Sequence, residues 1–197
     1  MKSDYCHIHM VLDRSGSMET IREDVIGGFN SFIEEQKKVP GEATVSLVQF
    51  DTEDPYEVIY DFERLYNVKN LTRETFVPRG ATPLLDAMGR GINDCEAHLA
   101  KLSDWDRPKK VLFCIITDGQ ENRSKEFKKP EVMQMIEARK QEGWEFIFMS
   151  CDQNAIQDAV RDYGINANNT MSFTKSAKGT RDGYTRLSCT VSSYRRS

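Results

Sequence analysis

Directly after an apolar run that ends at Leu12, the stretch Asp13-Arg14-Ser15-Gly16-Ser17 places one carboxylate and two hydroxyls within five residues. A carboxylate at a strand end can serve as a nucleophile. A serine-rich turn can cap a helix or cradle a phosphate. A cluster of hard oxygen donors can hold Mg2+ or Mn2+. Two further polar groups bear on the choice: Arg79-Gly80-Ala81-Thr82-Pro83 ahead of an amphipathic segment, and Asp118-Gly119 after the apolar run Val111–Thr117. Singly, each has a plain structural explanation. Ser17 and Thr82 suit helix caps, and Asp118-Gly119 suits a turn.

The elements that must position these residues follow from periodicity. Tyr5–Leu12, Ala43–Phe50 and Tyr56–Phe62 read as strands, the last two joined as a hairpin by Asp51–Pro55. Val111–Thr117 and Trp144–Ser150 are continuous apolar runs, the pattern of strands covered on both faces. Thr170–Phe173 reads as a short strand. Helical spacing marks Met18–Lys38, a segment from Pro83 to about Leu102, Pro130–Gln141, Asn154–Tyr163, and a last stretch through Tyr184, Leu187, Val191 and Tyr194. Alternating strands and helices predict an α/β fold: a Rossmann-like three-layer α/β/α arrangement around a mostly parallel sheet with one antiparallel strand. In such sheets, sites form beyond the carboxyl ends of the strands. Asp13, Ser15, Ser17, Thr82 and Asp118 are therefore expected on three loops at one edge.

The 197 residues suffice for a substantial core, and residues 1–197 are expected to form a single domain. A net charge of −4 argues against general nucleic-acid binding. From Lys175 onward, six basic residues face one acidic residue, Asp182; a solvated C-terminal helix and basic tail over about 175–197 is expected. No apolar stretch resembles a signal peptide or membrane span. The five cysteines form no C-x-x-C pair, and Cys114 and Cys151, which lie in apolar runs, read as small buried hydrophobes in a reducing compartment. A cytoplasmic location is the expectation.

The set Asp13–Ser17 (DRSGS), Gly80–Leu84 (GATPL) and Thr117–Gly119 (TDG) resembles the metal-ion-dependent adhesion site (MIDAS) of the von Willebrand factor A (vWA) domain family. The likeness extends over nearly the whole chain and suggests a compact intracellular bacterial or phage type. Ala81 departs from the pattern, where a second glycine is frequent. The resemblance implies that Ser15, Ser17 and Thr82 supply hydroxyl oxygens, and that Asp13 and Asp118 supply charge directly or through water. It implies Mg2+ or Mn2+ as cofactor. A first shell rich in neutral hydroxyls leaves the ion electrophilic and able to take an Asp or Glu carboxylate from a partner protein. The expected function is metal-dependent protein recognition without catalysis, with Arg14, Met18, Arg79, Gln120, Glu121 and Asn122 forming the rim.

Two other functions fit parts of the pattern: a structural module with a vestigial metal site, and a Mg2+-dependent phosphatase-like hydrolase using Asp13 as nucleophile. Phosphatases of the haloacid dehalogenase type resemble D-x-D, and the second carboxylate is here Ser15, which cannot act as an acid near neutral pH. No G-x-x-x-x-G-K-[ST] or G-x-S-x-G pattern is present. Of the three histidines, His7 and His9 lie toward the start of the first strand, away from the site, and His98 lies far along a helix. The H-x-H pair shares one strand face but has no evident third ligand. Both rings are expected as packed or hydrogen-bonded core residues.

Overall fold

Every second residue of β1 (Lys2–Asp13) faces the same side of a sheet, and from Tyr5 to Asp13 both sides are buried. Cys6, Ile8, Met10 and Leu12 enter one core, while Val11 enters another. The computed structural model describes residues 2–197. After β1 come α1 (Arg22–Lys37), β2 (Ala43–Phe50), β3 (Glu57–Arg64), α2 (Leu84–Lys101), β4 (Pro108–Thr117), α3 (Lys129–Gln141), β5 (Glu145–Ser150), α4 (Gln153–Arg161), β6 (Thr170–Ser172) and α5 (Ala177–Arg196). Short 3-10 turns cover Gly16–Ile21, Leu65–Asn67 and Ala167–Asn169.

The sheet order is β3-β2-β1-β4-β5-β6; β3 runs antiparallel to β2, and the other neighbours pair in parallel. Helices α1 and α5 cover one face, and α2, α3 and α4 cover the other. This is the three-layer α/β fold that the alternation predicts. Leu12 of β1 pairs with Ile116 of β4, so the two central strands end side by side and deliver Asp13 and Thr117 to one edge.

Several boundaries differ from the periodicity, each for a local reason. The helix expected from Met18 begins as a 3-10 turn at Gly16 and becomes α-helical only at Arg22. Ser15 accepts the first backbone bond, from Met18 N–H at 2.9 Å, so the site loop winds tightly before the helix proper. At the C-terminus the difference is confined to one basic residue. Helix α5 starts at Ala177, capped by Ser176, whose Oγ accepts Gly179 N–H at 3.1 Å. Its buried residues, Thr180, Gly183, Tyr184, Leu187, Ser188 and Val191, pack between α1 and the sheet, with Gly183 against Phe173 and Met149. Arg195 is buried, and its guanidinium donates to the carbonyls of Gln36 (2.7 Å), Gly41 (3.2 Å) and Val39 (3.3 Å), closing the C-terminal end of α1. The C-terminal segment is the expected helix, and Lys175, Lys178, Arg181, Arg186 and Arg196 are exposed; of the six basic residues only Arg195 departs from the expectation by turning inward. Among the described residues, no helix is long and apolar enough to cross a membrane.

Candidate functional site

Asp13 is fully buried at the end of β1. One carboxylate oxygen accepts Ser15 N–H at 2.7 Å, which folds the chain back into the serine turn. The other accepts the Thr117 hydroxyl at 2.7 Å, which ties β1 to β4. Burial, reinforced by the charge of Asp118, raises the Asp13 carboxyl from 3.8 to about 6, against the opposing hydrogen bonds from Thr117 and Ser15. A cation beside it would relieve that cost.

Ser17 Oγ donates to Asp118 Oδ1 at 2.6 Å, across 101 residues of sequence. Ser15 Oγ lies 3.1 Å from Ser17 Oγ. The third loop is joined to the first by its backbone: Gly16 N–H donates to the Gly80 carbonyl at 3.0 Å, and Arg79 N–H to the Arg14 carbonyl at 2.8 Å. Gly80 sits at φ +64°, and a Cβ there would lie 2.5 Å from Thr52 Oγ1; only glycine satisfies both demands. Thr82, buried just beyond, is pinned by a two-way bond with Asn122: Thr82 N–H to Asn122 Oδ1 at 3.1 Å, and Asn122 N–H to the Thr82 carbonyl at 3.2 Å. Asp13, Ser15, Ser17, Thr82 and Asp118 thus occupy three interconnected loops at one sheet edge. Together they offer two carboxylates and three hydroxyls, an all-oxygen donor set suited to a hard divalent cation.

The rim residues divide. Met18 is fully buried in the core beneath α1, and Arg14 is buried against Asp51 (2.5 Å), with a second ion pair to Glu57; neither presents a surface, and both expectations are corrected. Their neighbours in the sequence suggested exposure because the loop is polar, but the tight turn directs these two side chains inward. Arg79 is partly exposed and shares Asp51 at 3.1 Å. Glu121 accepts N–H bonds from Leu85 (2.9 Å) and Ser124 (2.7 Å), so it caps the start of α2. Gln120 and Asn122 are exposed.

Two features lay beyond the sequence reading. Lys175 Nζ lies 2.6 Å from Asp118 Oδ2, bringing a positive charge from the segment ahead of α5. Away from this edge, His7 and His9 project from β1 toward α2, where Cys95 meets them. Burial holds both imidazoles neutral, His9 down to about 3; His9 and His98 add to the effect at His7. Cys95 stands 86 residues from His9 in sequence, and its place in an apolar helical face concealed it.

No family model matches this sequence, and a search of curated proteins found no match. Solved structures share its fold. The pilus adhesin SpaC of Lactobacillus rhamnosus GG, in its open conformation, aligns with a TM-score of 0.71 at 13% identity, over 98% of this chain and 30% of that chain. Proximal thread matrix protein 1 from the mussel byssus aligns with a TM-score of 0.64 at 13% identity, over 95% of this chain and 46% of that chain. A structure of the same byssus protein with a zinc-occupied MIDAS motif gives 0.62 at 15% identity, with the same coverage. This chain spans less than half the length of each, and at these identities the likeness is one of fold.

Proposed function

We propose that the three-loop edge binds Mg2+ or Mn2+ and, through it, an acidic side chain of a partner protein. The observation that carries this reading is the convergence of Ser15, Ser17 and Asp118 at hydrogen-bond distance, with the Thr82 loop fastened beside them. Ser15, Ser17 and Thr82 would offer hydroxyl oxygens; Asp13 and Asp118 would offer carboxylates, directly or through water. The bound ion would supply an electrophilic position for an anionic group. The zinc-occupied MIDAS motif of the byssus protein, which shares this fold, supports a divalent metal in the fold. The hard-oxygen set here favours Mg2+ or Mn2+ over zinc. Exposed Gln120 and Asn122 and part-exposed Arg79 would border the partner. The reading is a binding module rather than an enzyme, since Ser15 stands where a phosphatase of this layout would need an acid.

Calorimetry with Mg2+ and Mn2+ tests the ion, with Asp13→Ala as control. Binding that is lost in the variant supports the reading, and identical heats for variant and wild type would refute it. A pull-down in Mg2+ and again in chelator tests the partner: the expected partners are lost both in chelator and with Asp13→Ala.

A further inference from the structure

We propose that His7, His9 and Cys95 form a second metal centre, between β1 and α2, for a thiophilic divalent ion such as Zn2+. All three side chains are buried: His7 is 0%, His9 3% and Cys95 1% exposed. Their candidate donor atoms lie within 4.8 Å of one another. Tetrahedral zinc needs N–N and N–S separations of roughly 3.3–3.7 Å, so side-chain shifts on the order of 1 Å close the site.

Four observations point to a ligand rather than to packing alone. His9 has neither ring nitrogen hydrogen-bonded, and His7 has Nε2 unpartnered. A neutral imidazole carries one N–H, so His9 buries an unsatisfied donor and an unsatisfied acceptor, at a cost of ~1–3 kcal/mol for each group. The other nitrogen of His7 is committed: Nδ1 lies 2.9 Å from Thr44 Oγ1, itself 2.9 Å from Tyr5 Oη. That is the outer-shell arrangement that orients a metal-binding imidazole. Third, the rings are held by stacking, His7 on Phe62 at 3.6 Å and His9 on Phe113 at 4.7 Å. Fourth, α2 makes room for His9 and the Phe113 ring stacked on it. A Cβ at Gly91 would lie 3.0 Å from Phe113 Cζ and 3.1 Å from His9 Nε2, and Cys95 follows one turn later on the same side.

Two nitrogens and a thiolate form a borderline-soft set, which selects Zn2+ or Co2+ over Mg2+. A cavity of about 180 Å³ lined by His9, Cys95, Phe62, His98 and Asp61 offers space for a water as fourth ligand. On binding, the S–H bond of Cys95 breaks, the sulfur bonds the ion, and the proton leaves to solvent. The centre is separate from the three-loop edge: His9 and Asp13 are four residues apart along β1, roughly 13 Å.

Co2+ titration of the metal-free full chain tests this. Wild type and Asp13→Ala should both develop a near-ultraviolet thiolate-to-cobalt band and the strong visible bands of tetrahedral Co2+. Zn2+ should abolish these and raise the melting temperature. Cys95→Ser should lose the near-ultraviolet band. Gly91→Ala keeps all three donors, and its methyl against His9 should weaken Co2+ at least tenfold. Absence of the thiolate band from wild type, or its persistence in Cys95→Ser, overturns the proposal. Because Asp13→Ala retains this centre while losing Mg2+, failure here and failure of the three-loop reading are distinguished.

Discussion

Lys175 Nζ lies 2.6 Å from Asp118 Oδ2, so the segment ahead of α5 delivers a tethered ammonium to a carboxylate of the candidate cation site. Asp118 has no exposed side-chain surface in this pair, whereas Lys175 retains about a third of its own. A divalent ion drawing on Asp118 must compete with that ammonium. Lys175→Met should therefore tighten Mn2+ binding by about tenfold or more, since removing a like charge near the ion contributes ~1–2 kcal/mol at an intermediate dielectric. Calorimetry reads this directly, and unchanged or weaker affinity would show that the lysine does not compete.

Asp51 links the hairpin between β2 and β3 to two loops of the site, accepting from Arg14 at 2.5 Å and Arg79 at 3.1 Å. Burial alone would raise its carboxyl; the N–H groups of Asp54 and Glu53 and the two guanidinium groups outweigh burial and hold it below its usual 3.8. A depressed folded value means that this stabilisation is fully present above about pH 3.8 and is lost as the pH falls through the lower folded value. Asp51→Asn removes one of the two carboxylates paired with the buried Arg14, leaving Glu57, and should cost about 1–3 kcal/mol at pH 7. In urea unfolding, the gap between variant and wild type should be constant from pH 7 to pH 5 and should shrink below pH 3.8.

Gly80→Ala places a methyl group at φ +64° and 2.5 Å from Thr52 Oγ1. The backbone strain costs ~1–3 kcal/mol, and the displaced loop carries Thr82 with it. The variant should melt lower and bind Mn2+ more weakly than wild type. Adding Thr52→Ala removes the Oγ1 contact but leaves the positive φ and the Thr52 backbone N at 3.2 Å, and it loses the acceptor of Ala81 N–H, so the double variant should recover little of the loss.

Tyr184 is buried between α1 and α5 with its hydroxyl unpartnered, and Gly28 leaves the space that its ring fills, since a Cβ there would lie 2.3 Å from Cδ2. Tyr184→Phe removes the unsatisfied hydroxyl and keeps the ring. It should raise stability by about 1 kcal/mol, or ~2–4 °C in melting temperature for a chain of this size. Gly28→Ala should lower stability by ~1–3 kcal/mol through overpacking. Scanning calorimetry separates the two signs.

The sequence was most informative where a local rule acts over a few residues. Continuous apolar runs marked β4 and β5 because parallel strands are covered on both faces. Asp13, Thr82 and Asp118 drew notice because each ends a strand or precedes a helix. The polar loop misled at Met18 and Arg14, which carry rim-like positions in the sequence but pack inward. Glu121 looked like a recognition residue and instead accepts the N–H groups at the start of α2 and in its own loop.

By itself the sequence determined the alternation of strands and helices, the mostly parallel sheet, and the edge on which the oxygen donors fall. Periodicity and turn chemistry are properties of neighbouring residues and survive without knowledge of the rest of the chain. Only the tertiary structure decided what charge and which donors meet across distance: Lys175 on Asp118, Asp51 between Arg14 and Arg79, and Cys95 beside His7 and His9. Those pairings depend on how layers stack and on the register of β1 against its neighbours. A strand shifted by one residue would turn both histidines to the opposite core and dissolve the second centre.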